Sequence, residues 1–293
     1  MRVNILIIGA GRSGTTTLSK ILENHSQVCF SKIKEVHYFS IDDLFARGEK
    51  YYHSFFPCHA DKKIIASADT YLLPAHKAIQ KIKDYNPDIK IIVMLRNPVD
   101  RAYSSYNYSI NYGYHKEYQL FIHSIKKEEN IEKEENIVQL NNLGHFYCSL
   151  YYLHLSEWLK ILDKKNFLFL PFDLIKNDIE ELKKRLSNFL NIDIQEFNNV
   201  DNTKKHNANA VPKSKIFEQF LLNRDNPVRK FIRNVFPESL KKKIIHSNIV
   251  DKIHNINRKS SDYKPLSSEE RKKAEEFFKK DLEMLKNITN VNL

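Results

Sequence analysis

The stretch Val3-Asn-Ile-Leu-Ile-Ile-Gly-Ala-Gly-Arg-Ser-Gly-Thr-Thr16 decides the fold. Its first half, Val3–Ile8, is an almost continuous apolar, β-branched run, the mark of a strand buried on both faces. Gly9–Gly14 follows as a glycine loop, and Thr15–Asn24 resumes with Leu18, Ile21 and Leu22 at helical spacing. Strand, glycine loop, helix is the opening of a nucleotide-binding α/β domain. Glycines let backbone N–H groups converge on a phosphate, and the helix N-terminus adds a positive end. Gly9, Gly14 and Thr16 nearly satisfy the phosphate-loop spacing, but Thr15 stands where the lysine that reaches the β- and γ-phosphates belongs. The loop's one cation is Arg12. A cradle without that lysine is a poor ATPase or kinase. It suits a ligand with one phosphate at the cradle and a different group beyond it. A tight turn with no ligand is the plain alternative.

Outward from this loop, strands are expected at Lys63–Ser67, Lys90–Leu95 and Asn166–Leu170, with helices at Pro74–Tyr85, Val99–Asn111 and Leu143–Leu162. The alternation predicts an α/β fold: a P-loop-like three-layer domain whose central, mostly parallel sheet is flanked by helices. Lys126–Asn136 is nearly all charge and reads as a solvated helix or loop. No strand is expected after about Asn198. Amphipathic helices are expected from Ser214 onward, the last over Ser267–Lys286 with Ser267 or Ser268 as N-cap. The chain, 1–293, is expected to be one domain, an α/β core over about 1–198 with a helical extension over about 199–293.

The net charge of +11 calls for an anionic partner more than for a fold. No apolar run approaches the ~20 residues that cross a bilayer, so a cytoplasmic protein without a transmembrane segment is expected. The three cysteines, Cys29, Cys58 and Cys148, are too widely spaced for a disulfide framework or a zinc site. They are expected to be separate thiols in a reducing compartment, and no metal is expected.

A second signature lies in Lys90–Tyr106, KIIVMLRNPVDRAYSSY. A buried strand ends at Leu95, and Arg96 follows at its carboxyl end, where open α/β sheets bind ligands. Ser104 lies two helical turns on, and an arginine with a hydroxyl suits a phosphate monoester. Together the two signatures resemble the sulfotransferases that use 3′-phosphoadenosine 5′-phosphosulfate (PAPS), most closely the heparan-sulfate-type and bacterial glycan members. Arg96, Asn97, Pro98, Arg101 and Ser104 match that family's R-[ND]-P-x-x-R-x-x-S pattern. Lys34-Glu-Val-His-Tyr-Phe39, the run from Gly48 to Pro57, and Tyr151 to Leu159 are consistent with its later segments. The likeness spans about Ile5 to Leu190. Two features depart from it: Arg12 stands for the usual loop lysine, and Ala66–Tyr71 lacks an acidic–basic pair that heparan-type members carry.

The resemblance implies transfer of a sulfuryl group from PAPS to a hydroxyl or amine, with a glycan, acidic ones included, as the expected acceptor. It leaves adenosine 3′,5′-bisphosphate as product. Arg12, Ser13, Gly14, Thr15 and Thr16 would hold the 5′-phosphosulfate, and Arg96 with Ser104 the 3′-phosphate. Arg12 would also stabilise the leaving group. Glu35 is the candidate base, with His37 as runner-up; a solvated carboxylate and a rim histidine are the plain readings. Lys204–Asn207 and Pro212-Lys213 are candidates for a basic loop over the nucleotide. Two rivals are a P-loop phosphotransferase with Asp69 as magnesium ligand and a non-enzymatic polyanion-binding module. No nucleic-acid motif is present to favour the second.

Overall fold

The computed structural model describes residues 2–58, 62–116, 120–197, 210–212, 258–260 and 264–293. Five strands, β1 (Ile5–Gly9), β2 (Val28–Phe30), β3 (Ile64–Ala68), β4 (Lys90–Leu95) and β5 (Phe167–Pro171), form one sheet in the order β2-β3-β1-β4-β5. All four pairings are parallel, with Ile5 opposite both Ala66 and Lys90. Every crossover therefore passes over a face of the sheet, and every strand ends on the same edge.

The period of two in β1 divides the core. Ile5 and Ile7 pack with Leu18, Ile21 and Leu22 of α1 (Thr15–Glu23) on one face. On the other, Leu6 and Ile8 pack with Ile79 and Ile82 of α2 (His76–Tyr85). The first face also buries Leu182, Leu186 and Leu190 of α5 (Ile179–Leu190). The second buries Leu155 and Trp158 of α4 (Tyr151–Ile161) and Leu285 of α6 (Ser268–Thr289). Both faces are covered, as a parallel sheet requires, and the expected three-layer α/β architecture is the observed one. Between β4 and β5, α3 (Pro98–Tyr112) starts directly after Asn97, whose Oδ1 accepts from the amides of Val99 and Asp100. At the start of α6 the Ser267 hydroxyl accepts from the Glu270 amide. It also donates to that residue's carboxylate, so the hydroxyl fastens the helix start through both groups of Glu270.

Contacts group the chain into two compact units. The first is Met1–Ser105, Tyr118–His206 and Leu266–Leu293, and it holds the sheet with its covering helices. The second is Tyr106–Glu117 with Asn207–Pro265. Within it β6 (Ala210–Pro212) pairs antiparallel with β7 (Arg258–Ser260). The rings of Tyr108 and Tyr112 meet there at 4.2 Å.

Four expectations need correction. Strand β2 was not foreseen, and β6 and β7 lie beyond Asn198, where no strand was expected. The helix expected over Leu143–Leu162 starts only at Tyr151. The buried Glu128 accepts from the amides of His145, Phe146 and Tyr147, so those amides are withdrawn from a helical ladder. Glu128 itself belongs to the run read as fully solvated. Finally, Cys29 and Cys58 are joined in a disulfide, and only Cys148 is a free, buried thiol. The fold supplies what spacing could not: Cys29 is in β2, and Cys58 lies on the chain leading into its neighbour β3. The bulk of the expected C-terminal helices, 213–257, lies outside the described residues.

Candidate active site

The candidate segments around the glycine loop, Glu35 and Arg96 follow the carboxyl ends of parallel strands. Residues 10–14 follow β1, 31–40 follow β2, 69–71 follow β3, and Arg96 follows β4. This is the edge where open α/β sheets place ligands.

On the phosphate side, Gly14 is left-handed (φ 81) and opens α1 with no side-chain cap. Among the described residues, no carbonyl or side chain accepts from the amides of Gly14, Thr15, Thr16 or Thr17. Four converging donors at a helix N-terminus fit a phosphate. The loop is also closely covered: a Cβ on Gly14 would lie 2.8 Å from both Phe172 and Ile175. Ser13 is fully buried and its amide is spent on the Ala10 carbonyl, so it shapes the loop from behind.

The two expected phosphate signatures meet. Arg12 Nε donates to Ser104 Oγ (3.3 Å), and Arg96 Nη1 donates to the Arg12 carbonyl (3.2 Å). Arg96 lies over the Phe172 ring at 5.1 Å, and burial pulls its pKa below the usual arginine value. Arg101, a residue of the motif with no role assigned from sequence, is buried and works as a strut. It donates to Gly11 O (3.0 Å), His145 O (3.1 Å) and Ser149 Oγ (3.2 Å), tying the glycine loop to the interior.

On the base side, Glu35 Oε1 accepts from Lys34 (2.7 Å) and from the Thr70 hydroxyl (2.8 Å). Oε2 faces His37 Nε2 at 4.0 Å and accepts no hydrogen bond among the described residues. Burial raises the Glu35 pKa. The charge of Lys34, that of His37 when it is protonated, and the two hydrogen bonds more than offset it, leaving the carboxyl below its ordinary 4.5. The group is therefore ionised at neutral pH, with one oxygen open to accept a proton. His37 Nδ1–H donates to Asp69 Oδ1 (3.0 Å), and Asp69 also accepts from Ser40 Oγ (2.7 Å) and the Tyr71 amide (3.1 Å). Lys34, Thr70 and Ser40 were missed as site residues, and Asp69 was considered only as a magnesium ligand. The signal for Lys34 was its adjacency to Glu35; nothing in the sequence ties Asp69 to His37.

The backbone marks the same residues. Six non-glycine residues have positive φ among those described, and three are asparagines, which tolerate it. The other three are Arg12 (φ 69), Glu35 (φ 64) and His37 (φ 57), the three catalytic candidates. Such strain, of order 1–3 kcal/mol each, persists where the surroundings over-determine it.

A cavity of about 120 Å³ opens beside Arg96, Asp100, Phe172 and Lys176. A larger one, about 350 Å³, lies at the opposite, amino end of the strands against Asn4, Lys63 and Lys90, away from the loop and from Glu35. Lys204–Asn207 and Lys213 lie outside the described residues, and of Pro212 only the backbone is described.

The parallel α/β sheet thus carries a lysine-less glycine loop at a helix N-terminus, Arg12, Arg96 and Ser104 in contact around it, and Glu35 at the same edge. Residues 2–278 match the sulfotransferase domain family, and the chain belongs to it. Human heparan sulfate glucosamine 3-O-sulfotransferase 6 is 28% identical over 194 residues, 64% of this chain and 52% of that protein. Mouse carbohydrate sulfotransferase 15 is 25% identical over 241 residues, 64% and 43% of the two chains. The chain thus spans about half the length of these relatives. The crystal structure of a sulfotransferase from Alicyclobacillus acidocaldarius has the same fold, with a TM-score of 0.68 at 20% identity, covering 100% of this chain and 98% of that one.

Proposed function

We propose that this protein transfers the sulfuryl group of PAPS to a hydroxyl or amine of a glycan. The observation that supports the reading is the meeting of the two arginine-bearing segments, with an open carboxylate at the same edge of the sheet. The first-turn amides of α1 follow Arg12 in the chain, Arg96 and Ser104 lie against it, and among the described residues Glu35 Oε2 has no donor. PAPS brings an activated sulfuryl group and a stable leaving phosphate. The amides of Gly14, Thr15 and Thr16, on the frame set by Ser13, hold the 5′ end, and Arg96 with Ser104 holds the 3′-phosphate. Arg12, at the junction, stabilises charge that grows on the leaving group. Glu35 accepts the acceptor's proton at Oε2.

The glycan acceptor is inferred from the names of the heparan sulfate and carbohydrate relatives, and the +11 charge suits an acidic one. Among the described residues no helix is long and apolar enough to cross a membrane. A cytoplasmic location has the Cys29–Cys58 bond against it, because disulfides are rare where glutathione keeps thiols reduced. Calorimetric titration tests the donor: adenosine 3′,5′-bisphosphate should bind without metal and far more tightly than AMP. Equal affinity for the two, or a preference for ATP with magnesium, would sink the assignment.

A further inference from the structure

Asp69, at the end of β3, is 4% exposed and holds three protein donors: His37 Nδ1–H, the Ser40 hydroxyl and the Tyr71 amide. The carboxylate is spent on these, which leaves it poorly placed as a metal ligand. What it does is fix a ring. A neutral imidazole with Nδ1–H bound to a carboxylate carries its lone pair on Nε2. The Tyr71 ring, 4.5 Å away between centroids, packs on the same imidazole. Nε2 is the atom that faces Glu35 Oε2, the oxygen of that carboxylate with no hydrogen-bond donor among the described residues.

We propose that Asp69 is a positioning residue acting through His37, and that His37 takes from Glu35 the proton released by the acceptor. The inference rests on the sulfuryl-transfer reading and gives its base a second stage. As the acceptor oxygen bonds to sulfur, the bond from sulfur to the leaving phosphate breaks and the acceptor proton passes to Glu35 Oε2. That proton then moves to His37 Nε2. Glu35 is again a carboxylate, and the imidazolium lies between it and Asp69. After product leaves, the imidazolium returns its Nε2 proton to water, so atoms and charge balance without a further reactant. The 4.0 Å between Oε2 and Nε2 must shorten by about 1 Å for the transfer, which rotation of the Glu35 carboxyl supplies. The left-handed backbone at both Glu35 and His37, on either side of the buried Val36, is the cost of aiming the two side chains together.

The test uses the full-length chain, with PAPS as donor and water as acceptor, read as release of adenosine 3′,5′-bisphosphate. Nitrogen-15 NMR of the imidazoles should find His37 in the Nδ1–H form in the wild type, and a mixture of tautomers in D69N. Turnover in D69N should fall by about tenfold or more, within the range of general-base effects, with affinity for adenosine 3′,5′-bisphosphate unchanged. In an H37A background D69N should cost nothing further, because a residue that acts only through His37 has nothing left to act on. A wild-type His37 protonated at Nε2 would overturn the proposal, and that spectrum needs no variant to fold. So would a D69N loss that persists in full on H37A. A wild type that neither binds nor turns over PAPS would sink the sulfuryl-transfer reading instead, while the spectrum would still report what Asp69 does.

Discussion

The phosphate loop and the turn that carries Glu35 both bend through left-handed backbone, and they meet the requirement with different residues. The loop places glycine at 14, where φ is 81 and where a Cβ would strike Phe172 and Ile175. The turn places Glu35 and His37 at φ 64 and 57, where glycine would be easier. Gly14 contributes only its amide, so the loop discards a side chain there, whereas at Arg12 (φ 69) it keeps one and bears the same strain as the turn. The turn needs a carboxylate and an imidazole, so it accepts the strain and is held by contacts from outside itself. Those contacts are Thr70 and Asp69 on Glu35 and His37, and the Cys29–Cys58 bond around the whole segment. Presenting the amides at the start of α1 is a local property of backbone. Aiming Glu35 and His37 is a tertiary one.

The largest test of that division is Glu35→Gln. Turnover should fall by roughly 10²–10⁴ while nucleotide affinity holds. Since the Glu35 pKa lies below 4.5, its limb of the pH–rate profile belongs below that pH, and it should vanish in the variant. A variant that lost nucleotide affinity along with turnover would show the two sides to be one. Next in size is the disulfide. It closes a loop across a sequence separation of 29, for which the chain-entropy estimate is about 3–4 kcal/mol. Cys29→Ser with Cys58→Ser should lower the urea midpoint accordingly, and should impair turnover more than nucleotide binding, because the loop it closes carries Glu35 and not Gly14.

Arg96→Ala sharpens the phosphate side alone. Loss of a charge-assisted contact of about 1.5–3 kcal/mol should weaken adenosine 3′,5′-bisphosphate and leave AMP nearly unchanged. Equal losses in a titration of the two nucleotides would remove the 3′-phosphate assignment.

What could be read in advance follows the same line. Val3–Thr16 and Lys90–Ser104 are contiguous stretches in which hydrophobic run, turn residue and arginine succeed one another, so the strands, the loop and the placing of both arginines at its edge were legible. Strand β2 is three residues long and carries no period to detect. The link from His37 to Asp69 spans 32 positions and that from Cys29 to Cys58 spans 29, and neither leaves a local pattern. Glu128 misled because charge in sequence says nothing of a carboxylate that will collect three amides in the interior. Its chemistry is the reverse of Glu35's: burial, against those amides and Arg101, lifts it to about 7. The folded state thus holds this proton more tightly than the unfolded chain. Stability should decline as pH rises from about 4.5 to about 7, and Glu128→Gln should flatten that decline in urea titrations.

The smallest effect bears most directly on the comparison, because it asks whether the turn is strained at all. Glu35→Ala and Glu35→Gly both delete the carboxylate and its bonds to Lys34 and Thr70, so they differ only in what the backbone tolerates. In ordinary positions the glycine variant is the less stable by about 0.5–1 kcal/mol, since it loses more freedom on folding. At φ 64 the order should invert, because a Cβ in left-handed backbone costs about 1–2 kcal/mol that glycine does not incur. The same pair of substitutions at Glu23, in the last turn of α1, should give the usual order and serves as control. Urea unfolding with matched slopes reads the difference directly. Both Glu35 variants should bind adenosine 3′,5′-bisphosphate normally and turn over poorly. If alanine and glycine proved equally stable, the turn would have relaxed around the missing side chain. The strain would then belong to the carboxylate's own contacts with Lys34 and Thr70, and not to the path that residues 31–40 must take between β2 and the sheet edge.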